Sequence, residues 1–340
     1  MRSDIGIDFG TDTTRIFMGR SIVLSRPTVI TIDNATGEPK AYGNEAYQMI
    51  GRTSDRLTSV CPVQNGTIAD FEAAELLLKK YFAEVSGKKL LRPRTMVAIP
   101  GNITAVKQRS VVDALESAGA RNVCLIEAPL AAAIGLDVDF STPRGVTVVD
   151  IGKGTTDIAV LSMGGLARCE SLPIGSGSFD EEIIRFIRRE YNVNVGALTA
   201  ERIKKTIGCV KPRELEVGMT VSGLNVFTGM PQSIEVDTTR LYDIMMITAE
   251  EILGSIQRVF EQTAPEMVAD TAKDGIILTG GGSLTYGMPE LLSQRLGLQA
   301  KRVEDPLNCV IKGIGKALNN SQVLKNGDYR FRSLEDLTIE

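Results

Sequence analysis

The sequence predicts an α/β protein made of two similar halves with a cleft between them. Three observations carry this reading. First, a strand, an Asp-x-Gly turn and a second strand occur twice. Asp8-Phe9-Gly10-Thr11 follows the apolar run Ile5-Gly6-Ile7, and Asp150-Ile151-Gly152-Lys153-Gly154-Thr155 follows Val146-Thr147-Val148-Val149. Second, the order of elements after the first copy restarts near residue 145. Third, a buried strand at 275–279 runs into Gly280-Gly281-Gly282-Ser283.

Taken in order, residues 5–9, 14–18 and 22–32 read as a three-strand meander, its last member broken at Pro27. Residues 70–84 carry a helical apolar pattern behind Asp70, a suitable N-cap. A short strand at 95–99 ends at Pro100-Gly101, and the helix at 103–118 stops at Gly119. A strand at 123–126 precedes a small-residue helix that begins at Pro129. Strands at 145–151, 156–162 and 166–173 then repeat the meander. A helix at 179–190, a helix from Thr199 as N-cap, alternating strands over 215–236 and a long helix at 238–261 follow. After the strand at 275–279 a helix starts at Pro289, and the last 20 or so residues are polar.

The bulk properties narrow the chemistry. A chain of 340 residues is long enough for two ordinary domains. A net charge of −4 lacks the basic footprint of a nucleic-acid protein, so no nucleic-acid partner is expected. There is no His, which excludes imidazole catalysis and imidazole metal ligands. The five cysteines lie far apart with no C-x-x-C, so zinc and thioredoxin-type sites are excluded and reduced, buried thiols are expected. No apolar run reaches the roughly 18 residues of a membrane span, and the strand that starts at once after Met1 leaves no room for a signal peptide.

The turns bring carboxylates, hydroxyls and bare amides together, a set that suits a metal-bound polyphosphate. Glycine amides form anion-binding concavities, and Thr11, Thr13, Thr14, Thr155 and Thr156 add hydroxyls. Asp8 and Asp150 would repel phosphate but could hold Mg²⁺ through its waters, which Mg²⁺ sheds reluctantly. Gly280, Gly281 and Gly282 allow a flat base or ribose to approach the backbone. Glu201 and Lys204, three apart, share one helix face, either in the site or as a plain surface ion pair. Neither G-x-x-x-x-G-K-[ST] nor G-x-G-x-x-G after a first strand is present, which excludes P-loop and dinucleotide enzymes.

With these residues in place, the chain resembles the superfamily of actins, heat-shock chaperones and sugar kinases, and within it the MreB-like bacterial actins, over about residues 4–318. The first phosphate loop resembles 7–11, the second 149–156, and the adenosine motif 277–284. Further similar stretches are 66–71, 199–204, 304–307 and Glu127-Ala128-Pro129 within 125–135. The resemblance implies an actin-like ATPase fold, with two duplicated RNase H-like domains flanking a nucleotide cleft. It implies a first domain at 1–140 with a small subdomain near 30–65, a second at 141–318 with one near 180–245, and a C-terminal tail at 319–340 packing on the first. ATP or ADP with Mg²⁺ would be held by Gly10, Thr11, Asp12, Thr13, Gly152, Lys153, Gly154, Thr155, Glu201, Lys204, Gly280, Gly281, Gly282, Ser283 and Leu284. The implied role is polymerisation into filaments, double-stranded ones, peripheral on the inner face of the cell membrane in the cytoplasm. There they would organise the cell-wall elongation machinery and determine rod shape.

The chain departs from the family pattern at the site. A second glutamate that helps position the attacking water is Ala128 here, leaving Thr155 in the family's other water-positioning place, with substitution by Glu127 or an ordered network as the alternative reading. Loss of a general base costs about 10²–10⁴ in rate, so weak hydrolysis is expected. Asp12 replaces a small neutral residue, Lys153 a glycine and Gly177 an aspartate. Asp12 and Lys153 are expected to approach across the cleft, because a lone carboxylate beside a triphosphate is repelled by roughly 4 kcal/mol at 4 Å and an effective dielectric of 20. Leu90 and Leu91, flanked by Lys88 and Lys89, stand where the family inserts a loop into the membrane. The competing readings on the same fold are a small-molecule kinase or phosphatase and a pseudo-ATPase adaptor.

Overall fold

The computed structural model describes residues 4–86 and 93–319. The loop residues Lys88, Lys89, Leu90 and Leu91, and the tail beyond Asn319, lie outside the described residues.

The chain opens with β1 (Ile5–Phe9), β2 (Thr13–Met18) and β3 (Ser21–Pro27), an antiparallel meander. The expected strand over 22–32 is two strands. Pro27 has no N–H for a ladder, and the chain leaves the sheet there to form β4 (Ile30–Asp33) in a second sheet with β5 (Pro39–Tyr42) and β6 (Leu57–Val60). The helix α1 (Asn44–Met49) covers that small sheet through Ala46, packed near Val29 and Ala41. A short hairpin, β7 (Val63–Gln64) and β8 (Thr67–Ile68), leads into α2 (Phe71–Ser86), whose first turn is capped by Asp70 accepting the Ala73 N–H at 2.9 Å. Then come β9 (Arg94–Ile99), α3 (Ala105–Ser117), β10 (Arg121–Glu127) and α4 (Ala128–Gly135). The first large sheet has the order β10-β9-β1-β2-β3.

The second half repeats it. β11 (Val146–Ile151), β12 (Thr156–Ser162) and β13 (Gly165–Leu172) form the same meander. After α5 (Ser176–Tyr191), β14 (Val193–Asn194) and α6 (Ala197–Ile207) come β15 (Gly218–Asn225), β16 (Pro231–Asp237), α7 (Thr238–Glu261) and α8 (Pro265–Asp274). The chain re-enters the sheet at β17 (Ile276–Thr279), passes a 3-10 turn at Gly281–Leu284, and ends with α9 (Met288–Leu296), β18 (Ala300–Arg302) and α10 (Cys309–Asn319). The sheet order is β13-β12-β11-β17-β18, with β11 parallel to β17 as β1 is to β9. In both sheets the meander's first strand is central. The helix α6 starts two residues before the expected Thr199 cap. Gly196 is the cap, with an extended backbone, and its carbonyl accepts the Thr199 N–H at 3.0 Å.

Apolar side chains of α2 and α3 pack on one face of the first sheet, and those of α7 and α9 on one face of the second. Between the sheets lies a third cluster built from α4, α10, Met96, Val148 and Leu161. Here α4 and α10 approach closely enough that side chains are excluded. A Cβ at Gly313 would stand 1.7 Å from the Ala131 carbonyl oxygen, and one at Gly135 would stand 2.1 Å from that of Cys309. Backbone on both sides leaves no room to yield. Gly313→Ala should therefore lower the urea midpoint by the equivalent of at least about 1–3 kcal/mol. Gly165→Ala, where nothing lies within 4 Å, should stay within about 0.5 kcal/mol.

Candidate functional site

The two Asp-x-Gly turns close the inner hairpins of the two sheets and line one cavity of about 560 Å³. Asp8 and Asp150 end the central strands β1 and β11. Each faces a residue of the next strand, Arg15 across from Asp8 and Asp157 across from Asp150. Strand alternation then places Thr155 beside Asp157, whose carboxylate accepts the Thr155 hydroxyl at 3.0 Å and the Gly101 N–H at 2.7 Å.

The turns interlock because glycine removes side chains where backbones meet. A Cβ on Gly154 would stand 2.4 Å from the Thr11 hydroxyl oxygen, and one on Gly66 would stand 2.5 Å from Pro100. The Thr11 hydroxyl accepts the Gly66 N–H at 3.1 Å. At Gly280, φ is +79° and a Cβ would lie 2.3 Å from Asp150 Oδ1, so only glycine fits.

Of the residues expected here, Asp8, Gly10, Thr11, Asp12, Thr13, Ala128, Asp150, Gly152, Lys153, Gly154, Thr155, Glu201, Lys204, Gly280, Gly281 and Leu284 line the cavity. Others serve it from behind. Gly282 packs on Ile151, and the buried Ser283 donates its hydroxyl to the Gly280 carbonyl at 2.7 Å. Thr14 and Thr156 do not offer hydroxyls to the cleft. The Thr14 hydroxyl bonds that of Thr28 at 2.8 Å, and Thr156 donates to the Ile174 carbonyl at 2.8 Å. Glu127 occupies the N-cap position of α4 without a side-chain capping bond and is not among the residues that line the cavity, while the next residue, Ala128, reaches the cavity wall.

Asp12 and Lys153 meet across the cleft, with Lys153 Nζ 2.9 Å from Asp12 Oδ1. The same ammonium lies 3.4 Å from Glu201, which also accepts the Tyr47 hydroxyl at 2.9 Å. One lysine thus joins both turns, α1 and α6. Glu201 and Lys204 do not pair with each other. Lys204 turns to Asp180 at 2.9 Å and the Ser176 carbonyl at 2.6 Å, and Glu201 turns to Lys205 one turn on. Burial by itself would lower the Lys153 ammonium, but Asp12 and Glu201 hold it above its ordinary range. Burial would raise Asp12, yet Lys153 and the Thr13 hydroxyl take it below the usual carboxylate range.

The inner carboxylates behave differently. Burial, then Asp157 and Asp8, push Asp150 up to about 8, against the opposing charge of Arg15. Burial raises Asp157 to about 6 despite its hydrogen bonds, and burial also raises Asp8. Across the cavity, five carboxylates (Asp8, Asp12, Asp150, Asp157, Glu201) face five cations (Arg15, Lys153, Lys204, Lys205, Arg213).

The sequence reading omitted Arg15, Asp157, Tyr47, Arg213 and Tyr286. Strand alternation would have found the first two, since 13 and 15, like 155 and 157, share a strand face. The last two are reachable only through the fold. The Arg213 guanidinium lies over the Tyr286 ring at 4.3 Å and both line the cavity.

The MreB/Mbl protein family profile matches residues 2–326. The chain belongs to the MreB/Mbl family. It is 38% identical to the cell shape-determining protein Mbl of Bacillus subtilis (strain 168), over 94% of this chain and 97% of that one. It is equally 38% identical to the cell shape-determining protein MreB of Escherichia coli (strain K12), over 93% of each. The crystal structure of the MreB5 protein of Spiroplasma citri bound to AMPPNP superposes with a TM-score of 0.89 at 30% identity, covering 96% of this chain and 98% of that one. A MamK double helical filament matches in fold, with a TM-score of 0.79 at 19% identity over 94% and 99% of the two chains. The fold of this MreB/Mbl chain is therefore actin-like. No helix among the described residues is long and apolar enough to cross a membrane.

Asp150 and Asp157 bring a definite pH dependence to this MreB/Mbl site. Both sit above the ordinary 3.8 in the folded chain. Between about pH 4 and 8 the folded chain holds protons that the unfolded chain has released, so stability falls as pH rises and levels off above 8. Each such proton sets a slope of about 1.4 kcal/mol per pH unit. Urea midpoints of the metal-free, nucleotide-free protein should decline from pH 6 to 8, and Asp150→Asn should flatten that decline.

Proposed function

We propose that this chain is an ATP-binding cytoskeletal protein that polymerises and hydrolyses its nucleotide slowly. The observation that carries the reading is the pair of Asp-x-Gly turns on one cavity, with amides and hydroxyls of Gly10, Thr11, Gly152, Gly154 and Thr155 on its wall. A polyphosphate fits that set, and the relative crystallised with AMPPNP and with ADP supports it. Lys153 is positioned to exchange Asp12 for a terminal phosphate. Gly280, Gly281, Leu284, Tyr286 and Arg213 line the part of the cavity suited to the nucleoside.

Asp8 and Asp150 are hard oxygen donors on facing turns, and Gly280 keeps the Asp150 carboxylate unobstructed. That donor set fits a hydrated Mg²⁺. Among the described residues no group of three or more acidic or thiol side chains could hold a metal unaided, in keeping with contact through water and phosphate. When bound, Mg²⁺ would supply charge neutralisation along the phosphates.

Slow hydrolysis follows from the wall opposite. The Ala128 methyl can neither orient nor deprotonate water. Asp157, held at about 6 and bonded to Thr155, is the carboxylate beside that threonine with the character of a base. Phosphate release from polymerised protein should rise at least about tenfold in Ala128→Glu and vanish in Asp157→Asn. Sedimentation with ATP and Mg²⁺, followed by electron microscopy, tests the polymer. A chain that binds ATP yet never sediments would sink the filament reading.

Family membership further supports a cell-shape role at the inner face of the membrane, through the wall-synthesis machinery. Leu90 and Leu91 would provide the membrane contact, each worth about 1.5–3 kcal/mol on burial. Lys88 and Lys89 would add about 1 kcal/mol each near an anionic leaflet, and a filament would multiply these weak terms. Flotation with anionic liposomes should fall sharply in the Leu90→Asp, Leu91→Asp double variant. Unchanged recovery would exclude insertion through this loop.

A further inference from the structure

We propose that Arg15 is a resident counter-cation of the phosphate site, which lets the cleft hold a nucleoside polyphosphate with little help from a divalent cation. The inference rests on the nucleotide reading above. Arg15 stands on β2 directly across from Asp8, with Nη1 3.3 Å from Asp8 Oδ2. It lines the same cavity as both turns, and its side chain is only 13% exposed. A guanidinium carries five N–H donors. Among the described residues Arg15 has one hydrogen bond, to Asp8, and its buried Nε has no partner. The other Nη donors of this cavity-lining side chain are available to an anion.

The charge arrangement gives this geometry a consequence. Asp8 and Asp150 are the carboxylates that would otherwise hold a hydrated Mg²⁺. Asp8 already shares its charge with Arg15, and the field of Arg15 extends to Asp150 and Asp305. A divalent cation entering here meets a half-neutralised acid pair and a fixed positive charge. A phosphate entering meets that same positive charge directly. Arginine keeps its charge at every working pH and matches phosphate geometry with two parallel donors. Arg15 therefore strengthens nucleotide binding and weakens its coupling to the metal.

The test is equilibrium binding of a fluorescent ATP analogue to the full-length chain, in Mg²⁺ and in EDTA. The wild-type dissociation constant should change less than about tenfold between the two conditions. Arg15→Leu should bind in Mg²⁺ but weaken about a hundredfold in EDTA, the scale of one lost charge contact in a partly desolvated site. Arg15→Lys should retain most of the binding in EDTA. Equal metal dependence in wild type and Arg15→Leu overturns the proposal and leaves Arg15 as a partner of Asp8 alone. Should Arg15→Leu fail to fold by circular dichroism, a wild-type loss of about a hundredfold in EDTA overturns it equally. Absence of binding by wild type in Mg²⁺ would instead remove the nucleotide reading itself.

Discussion

Two carboxylates at the ends of the two central strands set the terms for everything around them. Asp8 and Asp150 reach one cavity from opposite halves, largely out of solvent and within each other's field. Two desolvated negative charges that close are unfavourable unless cations or protons intervene. The structure answers with both. Arg15 sits against Asp8, and Asp150 holds its proton into the neutral range. The glycines of the turns serve the same site, because at Gly280 a Cβ would stand 2.3 Å from Asp150 Oδ1 and at Gly154 one would stand 2.4 Å from the Thr11 hydroxyl. The cleft thus arrives at an internal charge balance of five acids and five cations, which a charged ligand could enter only by exchanging partners.

The contacts that join the halves differ in kind. Between α4 and α10 the backbones touch through glycine and the surroundings are apolar, an arrangement that resists sliding. Across the cleft the bridge is Lys153 with Asp12 and Glu201, seconded by Tyr47. Lys153 and Asp12 are partly exposed, and exposed pairs contribute at most about 1 kcal/mol. A firm seam combined with a lightly held mouth is the mechanical condition for a cleft that changes its opening when its contents change.

Much of the architecture was legible in the sequence because it is written at short range. The meanders announce themselves by alternation and by glycine turns, Pro27 marks the departure from the first sheet, and Asp70 caps its helix as its position suggests. The Asp12–Lys153 contact could be anticipated because each charge is costly without the other. What escaped is of two sorts. Thr14 and Thr156 looked like phosphate ligands, yet on their strands they face inward to other partners, a matter of side-chain parity. Glu201 and Lys204 could be read either as site residues or as each other's surface partner; both line the cavity, and their partners are Lys153, Lys205 and Tyr47 for the one and Asp180 for the other. Tyr47, Gly66 and Arg213 join the cleft only because the chain returns there from far away, which no local pattern records.

The first residues of α5 and its cap, 175–177, lie directly on the second Asp-x-Gly turn. The Gly177 N–H donates to the Lys153 carbonyl at 2.8 Å, and a Cβ at 177 would stand 2.9 Å from that oxygen and 3.3 Å from Lys153 Cγ. Bulk at 177 would press first on the 153 carbonyl, which any residue there carries, and then on the lysine stem, which has more room because 177 carries no side chain. The order of substitution then matters. A lineage that acquired bulk at 177 before losing the lysine would pass through a crowded intermediate, whereas the reverse order would not. Placing bulk at 177 alone would meet that crowding, whereas removing the lysine stem alone would not.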